Sequence, residues 1–201
     1  MNLTILCISE GRAYSAPFIE EMRHAAEILA ADFVHLRDGH DLHSGGYLES
    51  VLDEAVAQCP DGYILRLDDD ELLPSETVDW LLSGRYQADD HWAFPRRNLW
   101  PDPQHYIANP PLWPDLQTRL SVKEKAGSRP QIHSGSPYGT GKVAPVPIDH
   151  HKFLVRSREE REALVQRYDN IAPGAGGQYV MFSLPERYEE LLKVRAVEPQ
   201  G

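Results

Sequence analysis

The chain has 201 residues, the size of one ordinary domain. A chain of this length can bury a hydrophobic core large enough to fold without disulfide bonds or a structural metal. Its 20 lysine and arginine residues stand against 31 aspartate and glutamate residues, and the resulting net charge of −11 disfavours a large nucleic-acid footprint. The N-terminal apolar run meets Ser9 and Glu10 too early for a signal peptide or a membrane span, so we expect a cytoplasmic protein.

Cysteines and basic residues give further expectations from composition. Cys7 and Cys59 lie in apolar surroundings without CxxC spacing, so we expect both to be buried, reduced and structural. Basic residues concentrate in the second half, at Arg96, Arg97, Arg119, Lys123, Lys125 and Arg129. For these we favour a solvated face of mixed charge over a local anion-binding patch.

The first half of the chain alternates strand and helix patterns. Apolar, partly β-branched runs predict strands at residues 3–8, 33–36 and 63–67. Apolar residues at helical spacing predict helices at residues 17–31 and 46–58, and Ser75 is expected to cap a third, short helix. This βαβαβ order predicts a parallel, doubly wound sheet with ligands bound beyond the carboxyl ends of its strands.

The second half has a different pattern, with many prolines and three of the four tryptophans between residues 88 and 147. We expect strands at 93–98 and 118–122, a loop at 127–141, and a helix at 156–168 with Arg161 on its solvent-exposed face. No linker divides the chain, so we expect one domain.

The clearest chemical feature is the run Asp68-Asp69-Asp70-Glu71, directly after the third predicted strand. Four adjacent carboxylates repel one another, so the run is costly unless a cation neutralises it. Mg²⁺ and Mn²⁺ prefer carboxylate oxygens and keep positions open for phosphate oxygens. In strand geometry Asp68 and Asp70 would point the same way and share one cation, while Asp69 faces elsewhere. The alternative is a helix start whose acids oppose the helix dipole.

The pattern Leu67-Asp68-Asp69-Asp70-Glu71, preceded by Asp61-Gly62-Tyr63, resembles the family 2-like glycosyltransferases of the GT-A fold. The resemblance implies an α/β fold with a Rossmann-like, mostly parallel sheet flanked by helices, followed by a half rich in loops and strands. It divides the single domain 1–201 into a nucleotide-binding half (1–87), an acceptor and metal-completing half (88–170) and a C-terminal extension (171–201). It also implies transfer from a nucleoside-diphosphate sugar, with UDP expected, and a Mn²⁺ or Mg²⁺ cofactor.

The same resemblance implies roles for single residues. Asp68 would contact the ribose or the metal, and Asp70 would ligate the metal at the diphosphate and act in catalysis. Asp69 is grouped with the nucleotide-binding residues. The other residues expected around the nucleoside are Ser9, Glu10, Arg12 and Asp38.

Two later segments extend the resemblance. Gln117-Thr118-Arg119-Leu120 is similar to the family's Arg-Leu strand, and Asp149-His150-His151-Lys152-Phe153 resembles its metal-completing segment. The resemblance implies that His150 is a metal ligand, with His151 as the alternative and a merely polar strand end as the other interpretation. Many relatives carry His-Glu where this chain has His133-Ser134. His133 is our candidate general base for an inverting transfer, because imidazole titrates near neutral pH.

Other functions and partners stay open at this level. A nucleotidyltransferase also uses paired aspartates, and a non-catalytic nucleotide-binding scaffold would suit the Ser134 departure. The acceptor could be a saccharide, a lipid-linked glycan, a protein, a small molecule or, less in keeping with the charge, a modified nucleic acid. Core packing or stacking on a ligand would each explain Trp92, Trp100, Tyr106 and Trp113.

Overall fold

The computed structural model describes residues 2–9, 11–37, 49–127, 141–171, 173–174, 180 and 183–198. The strands within these ranges are β1 (Leu3–Ser9), β2 (Asp32–Arg37), β3 (Tyr63–Asp68), β4 (Glu71–Leu72), β5 (His91–Asn98), β6 (His105–Ile107), β7 (Asp115–Val122), β8 (Lys142–Val143), β9 (Ile148–His150) and β10 (Val194–Ala196). The α-helices are α1 (Ser15–Ile28), α2 (Glu49–Gln58), α3 (Ser75–Leu82), α4 (Lys152–Val155) and α5 (Arg158–Ile171). Short 3₁₀ helices lie at Arg85–Ala88, Lys123–Lys125 and Pro185–Leu191.

The central sheet has the strand order β2-β1-β3-β7-β5-β9-β4, and β8 pairs with β5. Strand β1 lies parallel to β2 and β3, which confirms the βαβαβ prediction for the first half. Strands β7 and β5 continue the sheet in antiparallel pairing, and β9 then lies parallel to β5. A separate small sheet pairs β6 with β10.

The core lies on both faces of this sheet. Every residue of β1 is buried, as expected for a strand covered on both sides. Ile5 and Cys7 pack in the cluster that contains residues of α1 and α3, whereas Leu6 and Ile8 pack in the cluster that contains residues of α2. This alternation places helices on opposite faces, so the α/β, Rossmann-like fold class is confirmed.

The chain joins the two parts of the sheet at the acidic run. It leaves β3 at Asp68 and enters β4 at Glu71, and β4 pairs with β9 rather than with β3. The turn Asp69-Asp70 therefore lies between the carboxyl end of β3 and β4, the strand that pairs with β9. Since Glu71 begins a strand, the interpretation of the acidic run as a helix start is wrong.

Three details differ from the sequence predictions. Pro74, and not Ser75, holds the N-cap position of α3, and its carbonyl accepts from the Thr77 and Val78 amides at 2.9 and 3.1 Å. The helix expected at 156–168 is preceded by the separate α4 and runs from Arg158 to Ile171. Arg161 is buried instead of solvated, because it donates to the Ser183 carbonyl at 2.8 Å and pairs with Glu186.

Cys7 and Cys59 are both buried and free, as expected. Within the described ranges, no helix combines the length and the apolar character that a bilayer crossing requires.

Candidate functional site at the acidic turn

Asp68 and Glu71 are held by arginines from two strands of the second half. Arg119, on β7, forms ion pairs with both carboxylates, at 2.6 Å from Glu71 Oε1. Arg96, on β5, lies 3.1 Å from the same Glu71 oxygen. Glu71 also accepts the Asp68 backbone amide at 3.0 Å and has no exposed side-chain surface. The protein's own arginines therefore offset part of the repulsion in the acidic run, while burial and the neighbouring carboxylates still raise the pKa of Asp68 and of Glu71.

The expectation that the second-half basic residues form a solvated face is wrong for the three arginines on β5 and β7. Arg97 and Arg119 are 8% and 3% exposed, and the Arg96 side chain is 14% exposed. Arg96 also pairs with Asp115 at 2.6 Å, and Arg97 pairs with Asp149 at 2.5 Å. Lys123 and Lys125 remain partly exposed, and Arg129 lies outside the described residues.

Asp69 points toward the first helix. The Ser15 hydroxyl donates to Asp69 Oδ2 at 2.5 Å, and Arg156 Nη2 lies 3.7 Å from Oδ1. Burial, together with the charge of the neighbouring Asp70, raises the pKa of Asp69 to about 6 against the lowering effect of Ser15 and Arg156. Near pH 6 this carboxyl group is therefore about half protonated.

Asp70 contacts His150 and Arg156. Its Oδ1 lies 3.3 Å from His150 Nε2, and its Oδ2 lies 3.4 Å from Arg156 Nε. Burial alone raises the pKa of Asp70, but His150, Arg156 and Lys152 together hold it well below its ordinary value. Asp70 is thus an ionised carboxylate at neutral pH. Asp69 and Asp70 share Arg156 as a partner. Because Asp69 and Asp70 form a turn, the strand geometry assumed for Asp68 and Asp70 does not apply, and a cation shared by these two stays a prediction.

His150 is buried between Asp70 and Asn98. Its Nδ1 lies 2.7 Å from Asn98 Oδ1. Burial, together with the charge of Arg96, lowers the pKa of His150 to about 4 against the raising effect of Asp70. The other candidate, His151, directs its backbone amide to the Asp70 carbonyl at 2.8 Å and packs its ring edge-on against Phe18.

The loop after β1 closes one side of this turn. Arg12 lies 3.3 Å from Glu160 on α5, and the Arg156 guanidinium lies 5.1 Å from the centre of the Tyr14 ring. Ser9 is buried and its hydroxyl lies 2.8 Å from His35 Nε2 on β2. Arg156 therefore contacts both the loop after β1, through Tyr14, and the acidic turn, through Asp69 and Asp70.

Three of the predicted site residues, Glu10, Asp38 and His133, lie outside the described residues. The others fall into separate groups around the acidic turn. Asp70 and His150 meet, Asp69 faces Ser15, and Asp68 faces Arg119. Ser9 ends β1, and Arg12 lies on the loop that follows it. The roles of all these residues stay predictions.

A divalent cation at this turn would be held by Asp70 and His150. A carboxylate and an imidazole whose second nitrogen is bonded to another side chain are a donor pair that suits such ions. Asp68 is engaged by Arg119, and among the described residues no three His, Cys, Asp or Glu side chains are arranged to hold a metal. Because Mg²⁺ and Mn²⁺ commonly use one or two protein ligands together with phosphate oxygens, the pair fits a cation that arrives with a diphosphate.

The aromatic residues of the second half are mostly packed together. Trp92 is buried against Trp80 and donates its indole hydrogen to the Tyr86 carbonyl at 2.7 Å. Tyr106 and Trp113 form a half-buried edge-to-face pair with ring centres 5.0 Å apart. Core packing therefore accounts for Trp92, whereas stacking on a ligand stays a prediction for the Tyr106–Trp113 pair.

The partners of the acidic run and of His150 were not predicted from the sequence. Arg96 and Asn98 come from β5, Arg119 comes from β7, and Arg156 follows α4. The available signal was the presence of arginines inside largely apolar strands, where a charge must find a partner. Arg119 lies 51 and 48 positions from Asp68 and Glu71, and Arg96 lies 25 positions from Glu71, beyond any local pattern.

Comparisons with known proteins were made on both sequence and structure. No protein-family profile matches the chain, and no curated protein matches it. One solved structure, described as a glycosyltransferase involved in the glycosylation of the major capsid of PBCV-1, aligns with 92% of this chain and 76% of its own, with 13% identity and a TM-score of 0.42. A match at that level establishes neither the family nor the activity of this chain.

Proposed function

We propose that this protein is a metal-dependent glycosyltransferase that moves a sugar from a nucleoside diphosphate, UDP in the first instance, to an acceptor hydroxyl. The observation that carries the proposal is the contact between Asp70 and His150 at the carboxyl end of β3, 3.3 Å apart in a Rossmann-like sheet. Ligands of such sheets bind beyond the carboxyl ends of the strands, which is where this pair lies.

The chemistry divides between the residues of the turn. When bound, the cation would supply Lewis-acid stabilisation of the departing diphosphate. Asp70 and His150 would hold it, and the partly buried cationic groups of Arg156 and Lys152 would add favourable charge beside the phosphates. Burial, together with the charge of Arg156, lowers the pKa of Lys152 to about 7, so the positive charge of Lys152 is present below about pH 7.

The remaining roles follow the sequence resemblance. Asp68, Ser9 and Arg12, with Glu10 and Asp38, would surround the nucleoside, and Asp69 would support the turn through Ser15. In an inverting transfer the acceptor oxygen bonds to the anomeric carbon as the bond to the diphosphate oxygen breaks. The acceptor's proton would pass to a general base, for which His133 is the candidate.

The test is donor turnover with a matched pair of variants. Wild type, Asp70→Ala and Asp79→Asn are incubated with UDP-sugars and Mn²⁺ or EDTA, and released UDP is measured. Asp79 is an exposed residue of α3, so its variant controls for loss of one carboxylate. We expect metal-dependent release by wild type and Asp79→Asn and none by Asp70→Ala. Equal release by all three proteins would contradict the proposal.

A non-catalytic nucleotide-binding scaffold is the second candidate. The observation that favours it is the pairing of Asp68 and Glu71 with Arg119, which leaves fewer carboxylates for a cation. Nucleotide binding without any donor turnover, in the presence of a range of acceptors, is the outcome that would favour the scaffold.

A further inference from the structure

The amide of Asn98 has an orientation set by its surroundings. Its Nδ2 lies 3.1 Å from the Leu112 carbonyl oxygen and 3.2 Å from Asp115 Oδ2. A carbonyl and a carboxylate held in an arginine ion pair can only accept hydrogen bonds. Turning the amide over would set Oδ1 against these two oxygens, so Nδ2 must point toward them.

This orientation determines which nitrogen of His150 carries hydrogen. Asn98 Oδ1 faces His150 Nδ1 at 2.7 Å, and an amide oxygen only accepts, so Nδ1 is the donor. Because Nδ1 is taken by the hydrogen bond to Asn98, Nε2 is the ring nitrogen left to bind a cation. The two residues are also opposite each other in the parallel register of β5 and β9, which fixes the contact through the backbone.

Nε2 faces the Asp70 carboxylate. Asp70 Oδ1 lies 3.3 Å away, and the two side chains are only 6% and 5% exposed. Both atoms can donate an electron pair to the same divalent cation, and they are already close enough to do so together.

We propose that Asn98 is a positioning residue that selects the Nδ1–H tautomer of His150 and so directs the Nε2 lone pair, together with Asp70, toward a divalent cation. The inference deepens the proposed function and rests on it, since the cation is the one that would neutralise the donor diphosphate. Outer partners of this kind fix the tautomer and ring orientation of histidine ligands.

The first test reads the tautomer directly and needs neither metal nor activity. Protein labelled with nitrogen-15 histidine is studied in EDTA near neutral pH by long-range proton–nitrogen correlation NMR, with His150→Asn identifying the signal. We expect hydrogen on Nδ1 only, the reverse of the preference of free histidine. Hydrogen on Nε2, alone or together with Nδ1, would overturn the inference.

The second test compares two variants that each remove one hydrogen bond to Asp115. Asn98 donates to Oδ2 at 3.2 Å and Gln117 donates to Oδ1 at 2.7 Å, but only Asn98 contacts His150. Mn²⁺ binding is followed by electron paramagnetic resonance of the free ion. We expect Asn98→Ala to bind Mn²⁺ about 10- to 100-fold more weakly, and Gln117→Ala to match wild type.

The outcomes of these tests separate the inference from the proposed function. Equal Mn²⁺ affinities for the two variants, or no Mn²⁺ binding by wild type, would overturn the positioning role. If Asn98→Ala fails to fold, the wild-type tautomer decides. If the tautomer and the Mn²⁺ affinities are as expected but no sugar nucleotide is turned over, the result contradicts the proposed function and still supports the positioning role.

Discussion

Replacing Arg119 with methionine tests whether the protein's own arginines neutralise the acidic run. The Arg119 side chain is 2% exposed and contacts Asp68 and Glu71, and Glu71 has no exposed surface. Removing one partner of a buried ion pair costs about 3–5 kcal/mol, because it leaves a buried charge without compensation. In Arg119→Met, Glu71 would keep Arg96 and one backbone amide, so we expect a loss at the lower end of that range.

The assay is urea unfolding followed by tryptophan fluorescence, and two further variants sharpen it. Lys125→Met removes a pair with Asp90 whose side chains are 31% and 60% exposed, and it should cost under about 1 kcal/mol. Adding Glu71→Gln to Arg119→Met removes the uncompensated charge. The stability lost by the double variant should therefore be about 1–3 kcal/mol smaller than the sum of the losses in the two single variants. If Arg119→Met costs no more than Lys125→Met, the reasoning about the acidic run is wrong.

Three further predictions follow from the site and the fold. The raised pKa of Asp69 means that the folded state holds the Asp69 proton more tightly than the unfolded state, so the contribution of Asp69 to stability falls as pH rises from about 4 to about 6. In metal-free unfolding curves, Asp69→Asn should remove about 2 kcal/mol of this decline. Identical pH profiles for wild type and Asp69→Asn would refute the prediction. His150→Ala should weaken Mn²⁺ binding by at least about tenfold in magnetic resonance titrations while His151→Ala should not, and equal effects would contradict the assignment. Gly62→Ala should lower the melting temperature more than Gly174→Ala. Both glycines have positive φ, but of the two only Gly62 would bring a Cβ against backbone, 2.3 Å from a carbonyl oxygen. The opposite order of melting temperatures would count against the pairing of β1 with β3.

The parallel half of the fold could be predicted because its signals are local. Strand β1 is a continuous apolar run, and α1 repeats apolar residues at helical spacing, so each element can be predicted from its own residues. The position of the acidic run at the end of β3 followed directly from that order. The left-handed Ala30 and the start of α1 at Ser15 shifted the boundaries of the first helix without changing its identity.

The partners of the acidic run could not be predicted, since they depend on the strand order of the second half. Arg119 reaches Asp68 only because β7 lies beside β3, and Asn98 reaches His150 only because β9 lies beside β5. Neither neighbour relation is encoded in a local pattern. The expectation of a metal as the main source of positive charge therefore overlooked the arginines, although the Asp70–His150 pair lies where a cation was expected.

The proposed function requires Asp70 to help bind a nucleoside diphosphate through a divalent cation. This requirement is tested by thermal unfolding of wild type, Asp70→Asn and Asp79→Asn with UDP, GDP, CDP or TDP, each with Mn²⁺, Mg²⁺ or EDTA. We predict that one nucleotide stabilises wild type and Asp79→Asn only with metal, by about 2.7 kcal/mol at a hundred times its dissociation constant, and leaves Asp70→Asn unchanged. Stabilisation that survives EDTA and the Asp70 substitution, or no stabilisation of folded protein by any nucleotide, would contradict the claim.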